Sequence, residues 1–274
     1  MSYLPRAPAA VTGSHLPRPP PCEEDGAALD WGDLVDELDR WADAGRVATL
    51  WWRDDDAIAP TPQLTRLLHV SAGIPLALAV IPALARPELA EALTGAPWVA
   101  VLQHGWRHAN HARHGKKSEF PGDRLAAEVA EDLAAGQARL VALFGSRALP
   151  VLVPPWNRFA VEFLPLLPRL GVAAISATAS RAAMPPGLAA LDVHVDPVAW
   201  RGDRGFVGEP AALGALVGQL RARRFGIEPP ERPVGLLTHH LVTDGPTEAF
   251  VEHLIALVGA HRAIRWAAAT ELLR

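Results

Sequence analysis

The chain has 274 residues, half of them hydrophobic, enough for one large α/β domain or two small ones. Its formal net charge of −4, from 26 basic and 30 acidic side chains, gives no electrostatic footprint for nucleic acid or an anionic membrane. A single cysteine, Cys22, excludes an internal disulfide framework and a thiolate zinc site, and no apolar run reaches the ~20 residues that span a bilayer.

Residues 1–27 are proline-rich, without periodicity, and read as a flexible or draped tail. They show no basic start followed by an apolar stretch, so the expectation is a cytoplasmic protein whose domain spans 28–274. Asp30 is placed to cap a helix running to about Ala44, with Trp31, Leu34, Val35, Leu38 and Trp41 on one face and Gly45 as the stop. A buried strand at 46–52 runs into Asp54-Asp55-Asp56. A helix follows from Gln63 to Ser71, with Leu64, Leu67 and Leu68 inward, then a strand at 74–82, a short helix near 87–93 and a strand at 98–104.

Residues 105–121 form a long polar loop. Leu125, Val129, Leu133, Leu140 and Leu143 mark a helix over 122–144, stopped by Gly145. Strands are expected at 149–156, 171–177, 191–196, 233–240 and 263–266, with helices around 160–170, 210–224, 246–260 and at the C-terminus. The strands are apolar without strict alternation, which predicts a parallel sheet covered on its outer face. Seven or so βα units suit a single-domain α/β fold, a distorted (β/α)7-type barrel, better than an open sheet.

In a barrel the C-terminal ends of the strands share one rim. At those ends stand the three aspartates, then His104, His108, His111 and His114, then "PPWNR", then Asp196 with Trp200, then His239 and His240. Carboxylates crowded at the end of a buried strand repel one another unless a cation or protonation offsets the cost. One Asp with two His makes an open divalent site with positions left for water and substrate. His104 and His108, four apart, would reach one side of a helical turn and face one ion together.

These motifs resemble the polysaccharide deacetylases of the nodulation-deacetylase homology type, carbohydrate esterase family four, over roughly residues 46–270. "RDDDA" resembles the family's Thr-Phe-Asp-Asp motif, "HGWRH" its His-x-x-x-His motif, and "VPPWN" its Arg-x-Pro-Tyr motif. "DPVAW" and "LLTHH" stand where its Asp/Trp and Leu-x-His motifs fall. The resemblance implies a metal-dependent hydrolase that removes an acyl group, acetyl in the family, from an N-acylated sugar or related amide. It makes Asp56, His104 and His108 the metal ligands, for Zn²⁺ or else Co²⁺ or Ni²⁺. It makes Asp55 or Asp54 the base, and His239 or His240 the acid that protonates the leaving amine. Trp156, Asn157, Arg158, Asp196, Trp200 and His111 become substrate-contacting or groove residues.

Val153 stands where the family has an arginine that orients the base, and Arg53 or Arg158 is the candidate to replace it. The partner expected is a carbohydrate or small amide, with no nucleic acid or membrane. The rival readings are a small-molecule amidase of the same superfamily and a non-catalytic barrel that binds carbohydrate or metal.

Overall fold

Asp30 opens the folded chain as a capping box: its Oδ1 accepts from the backbone N–H of Gly32 and Asp33, and Asp33 Oδ2 accepts from the Asp30 N–H. The helix it starts is α1 (Trp31–Asp43). The computed structural model describes residues 28–178 and 183–274, and the tail read at 1–27 lies outside them. The remaining elements, in chain order, are β1 (Ala48–Ala57), α2 (Pro62–Val70), β2 (Leu76–Val80), α3 (Pro87–Ala92), β3 (Val99–His104), α4 (Ala126–Phe144), β4 (Ala148–Val153) and α5 (Leu166–Arg169). Then come β5 (Ala174–Ile175), β6 (Ala189–Ala190), α6 (Glu209–Arg224), β7 (Val234–Thr238), α7 (Gly245–Ala260), β8 (Ile264–Trp266) and α8 (Ala269–Leu272).

All strand pairs in the sheet are parallel, in the order β6-β5-β4-β3-β2-β1-β7, with β8 pairing the start of β1. The sheet curls toward closure. Beyond β6 the chain donates from Leu191 and Val193 to the carbonyls of Ile175 and Ala177, while Leu237 donates to Val195 and His194 to Gly235. Gly235 is the contact point: a Cβ there would lie 2.5 Å from the Asp192 carbonyl oxygen and 2.6 Å from Trp51 Nε1. A distorted parallel barrel, as expected, is what the chain builds.

Side chains alternate across β1 and β7, and this sorts the core. Leu50, Trp52, Leu236 and the outward residues of β2 pack under α1, α2, α6 and α7. Trp51, Leu237, Ala77, Ala79, Leu102, Val151 and Val153 fill the barrel interior. A third cluster, with Phe120, Val129, Leu133, Leu152, Phe163 and Leu167, lies under α4 and α5. Fully burying each of these large apolar side chains stabilises the fold by roughly 2 kcal/mol.

Several boundaries differ from expectation. α4 begins at Ala126, so Leu125 precedes the helix and is 67% exposed instead of facing inward. Val35 sits at the margin of the α1 face, 36% exposed. The helix expected over 160–170 is broken into a turn at 161–163 and the four-residue α5, with Pro165, which has no N–H to donate, at the break. The strand expected at 191–196 is a run of bridges following β6, because its register serves two neighbours at once. Among the described residues no helix is long and apolar enough to cross a membrane.

Candidate active site

The three aspartates end β1 in three different environments. Asp54, on the outer face, accepts from Thr238 Oγ at 2.6 Å and lies 2.5 Å from His240 Nδ1; Thr238 Oγ in turn accepts from Trp52 Nε1 at 2.8 Å. Asp55 points into the barrel. Strict alternation would return Asp56 to the outer face beside Asp54. Instead the β1–β2 register breaks between Asp54 and Ala57, and Asp56 takes φ 74. This bulge turns the Asp56 carboxylate toward β3, so Asp56 does not share the face of Asp54 as it would in a regular extended strand.

There Asp56 Oδ1 lies 3.1 Å from His104 Nε2 and 3.4 Å from His108 Nε2. One donor atom from each of the three residues falls within 4.8 Å of the others. Donors about 2.1 Å from one ion stand roughly 3.4 Å apart, so two imidazoles and a carboxylate at these separations fit a divalent metal. His104 Nδ1 donates to the Val153 carbonyl at 3.0 Å, which fixes the ring and leaves Nε2 with a lone pair whenever the ring is neutral.

The histidine pair does not ride a helical turn, as the spacing suggested. His108 reaches the site from a loop, with φ 55. Among the described residues five non-glycine positions have positive φ, and four of them, Asp56, His108, Trp156 and Asn157, are at this site. Such backbone costs about 1–3 kcal/mol per residue and persists only where surroundings enforce it.

For His108 the enforcing group is Glu119. Its carboxylate is fully buried and lies within hydrogen-bonding distance of the backbone N–H groups of Trp106, Arg107 and Ala109, which bracket His108. Gly105, at φ 59, makes room: a Cβ there would come within 1.9 Å of Glu119 Oε2. Burial pushes the Glu119 carboxyl up, against the three N–H groups that favour its anion. The sequence reading passed over Glu119. The available signal was a lone acid between lysines and an apolar pair in an otherwise basic loop.

The cluster's electrostatics suit a cation. Burial would raise the Asp56 carboxyl, but the hydrogen bond and charge of His104, with the charges of His108 and His239, hold it down to about 2. Burial presses His104 toward neutrality, and the Asp55 and Asp56 charges outweigh it, so its pKa is raised. His108 is lowered by burial and by the neighbouring His104 charge.

Arg53 supplies what Val153 does not. It sits on the same inward face of β1, two residues before Asp55, and is wholly buried. Its Nη2 donates to Asp55 Oδ2 at 2.9 Å and to Asn157 Oδ1 at 2.8 Å, and its Nη1 to the carbonyl and hydroxyl of Ser176. Its Nε approaches Asp55 Oδ1 at 2.8 Å as a charge contact, off the hydrogen-bond axis, so that oxygen has no hydrogen-bond donor. Arg158, the other candidate, turns away to the Lys117 carbonyl at 2.8 Å.

His239 continues the inward alternation of β7, with Nε2 3.9 Å from Asp55 Oδ2 and a buried Nδ1 that has no partner. His240 alternates outward to Asp54. The doubled histidine and the tripled aspartate are thus sorted by the same pleat: Asp55 with His239 inside, Asp54 with His240 outside. Trp200 meets His239 edge-on at 4.6 Å and donates from its indole to Asp196 Oδ2 at 2.7 Å. Burial raises the Asp196 carboxyl, offset in part by that indole, the Val198 N–H and the His239 charge. Trp156 lies 4.4 Å from the His108 ring on the other side. His111 is not brought in; it lines a separate polar groove with Arg113, Asp123 and Arg124. An apolar cavity between α2 and α7 touches His240 but opens on the outer side of the sheet, away from Asp55.

Three solved structures share this arrangement of strands and helices. A Mycobacterium smegmatis protein assigned as a polysaccharide deacetylase matches with a TM-score of 0.60 and 16% identity over 91% of this chain and 93% of its own. The chain has the fold of the polysaccharide deacetylases. A family 4 acetyl xylan esterase from Clostridium thermocellum, solved with a cobalt ion, matches at TM-score 0.50 and 12% identity, covering 82% of this chain and 89% of that one. A peptidoglycan deacetylase from Bacillus subtilis matches at 0.51 and 13%, covering 83% and 90%. At these identities the likeness to the deacetylases is one of fold. No family model matches the sequence, nor does any curated protein.

Proposed function

We propose that this chain is a metal-dependent amide hydrolase of the polysaccharide-deacetylase type, removing an acetyl or similar acyl group from an N-acylated sugar or related amide. The observation that carries the reading is the meeting of the Asp56–His104–His108 donor set with the Arg53-held carboxylate of Asp55 and with His239 at one strand-end rim. The deacetylase fold supports it.

Asp56 Oδ1 and the Nε2 atoms of His104 and His108 would hold the ion, with zinc the first expectation. When bound, a divalent ion there would polarise the acyl carbonyl and lower the pKa of water at the site. Asp55 would take the proton of the attacking water, while Arg53 keeps the carboxylate aimed. His239 Nε2 would give a proton to the departing amine. The indole of Trp200 and the Asp196 carboxylate would steady that ring. Trp156 and Trp200 would wall the groove, and Asn157 would act through Arg53.

The test is turnover of N-acetylated sugars and small amides by protein loaded with Zn²⁺, Co²⁺ or Ni²⁺. The expected result is acetate release that Asp55→Asn abolishes. A loaded wild type that releases no acyl group from any of these substrates rejects the reading.

A further inference from the structure

We propose that the substrate of this site is anionic, carrying a phosphate or carboxylate beside its acyl-amide group; the inference rests on the hydrolase reading above. Its ground is a separation of charge. In a chain of net charge −4, residues 105–121 hold Arg107, Arg113, Lys116 and Lys117 against one acid, Glu119. That acid is buried and spent on backbone N–H groups. Arg113 has its own counterion in Asp123, at 3.5 Å. The others have none: among the described residues, Arg107, Lys116, Lys117, Arg158, Arg201 and Arg204 enter no ion pair.

Four of the six stand beside the site. The Lys117 ammonium lies 6.0 Å from the Trp156 ring, which touches His108. Arg158 is tied to the Lys117 carbonyl, so its guanidinium stays with the same loop. Across the cluster, exposed Arg201 and Arg204 sit in the turn after Trp200, the residue that packs on His239. Cations therefore flank the Asp55–Asp56 centre on two sides. The acids nearest them turn to other partners: Asp196 accepts from Trp200 and Val198, Asp203 Oδ1 from the Gly205 N–H and Asp244 Oδ2 from the Phe206 N–H, and none forms an ion pair with these cations. Unpaired cations at the mouth of a site draw in ligands of the opposite sign, and such steering raises on-rates by ~10–10³-fold.

The test is a titration of the full-length zinc-loaded protein, followed by tryptophan fluorescence. The probes are N-acetylglucosamine, its 6-phosphate and N-acetylmuramic acid, in low and in 300 mM NaCl. The two charged sugars are expected to bind at least about tenfold more tightly than the neutral one at low salt, with the advantage shrinking as salt screens it. A preference for only one of them names phosphate or carboxylate as the charge recognised. The triple variant Lys116→Glu/Lys117→Glu/Arg158→Glu should lose that preference. Lys117→Glu alone, checked for folding by circular dichroism, should reduce it. Equal affinities, no binding of any sugar, or a preference untouched by charge reversal overturns the proposal. The two readings fail separately. A charged sugar bound but not hydrolysed counts against the hydrolase alone. A neutral sugar bound and hydrolysed as well as the charged ones counts against the anionic substrate alone.

Discussion

Asp54 and Asp55 are adjacent in the chain and sit on opposite faces of the sheet, one hydrogen-bonded to Thr238 and His240 under the helices, the other held by Arg53 inside the barrel. One peptide unit separates a buried structural network from the candidate base.

The two aspartates should therefore fail differently. Asp55→Asn is expected to lower kcat by about 10²–10⁴-fold in the protein that remains folded, and also to lower the melting temperature, since it takes the counterion from buried Arg53. Asp54→Asn strips a buried partner from His240 and Thr238 and should destabilise the fold by about 3 kcal/mol. Calorimetry and single-substrate kinetics on both variants decide this. If Asp54→Asn were stable but inactive, the assignment of Asp55 as base would be wrong.

His104→Ala combined with His108→Ala should abolish stoichiometric metal binding, read by elemental mass spectrometry after loading and desalting. Wild type should retain about one ion per chain. Equal metal content in the two proteins would place the ion elsewhere.

Glu119 touches none of the proposed metal donors but holds the backbone that carries one of them. Glu119→Gln keeps the size and loses the charge that three N–H groups favour. It should weaken metal affinity by about 10–100-fold, measured by chelator competition. An unchanged affinity would show that His108 holds its left-handed backbone without the clamp.

Stability should follow pH through His240. Burial lowers its pKa, but the Asp54 charge and hydrogen bond outweigh this and raise it above 6.5. A group with a raised folded pKa stabilises fully below its unfolded value and loses that contribution as pH rises through the folded one. The stability gap between wild type and His240→Gln, from urea unfolding of metal-free protein, should be widest just below the ordinary histidine range and narrow as pH rises through the raised value. A gap that widens on the alkaline side contradicts the pair.

The parallel sheet was readable because its strands are apolar on both faces, and the rim because polar residues recur where apolar runs stop. Asp56, His104 and His108 could be named as a candidate metal-holding set from spacing and resemblance, and the structure brings them together. How Asp56 gets there could not, since a bulge leaves no mark in the residue types of "RDDDA". The doubled histidine was ambiguous for a related reason. Which of His239 and His240 faces inward depends on register with β1, set by pairs such as Leu237 with Arg53, many residues apart. Arg53 was one of two candidates to replace the arginine missing at Val153. The choice turned on its sharing a strand face with Asp55, which a period of two makes plain once β1 is known to run to Ala57.

Arg53 also closes the barrel from within. Fully buried, it ties β1 to Ser176 and Asn157 across the lumen, above a plug of Trp51, Leu102 and Val151. The Asp55 carboxylate consequently rests on a cation that also pins two other segments of the barrel, so the position of the candidate base is tied to the closure of the sheet.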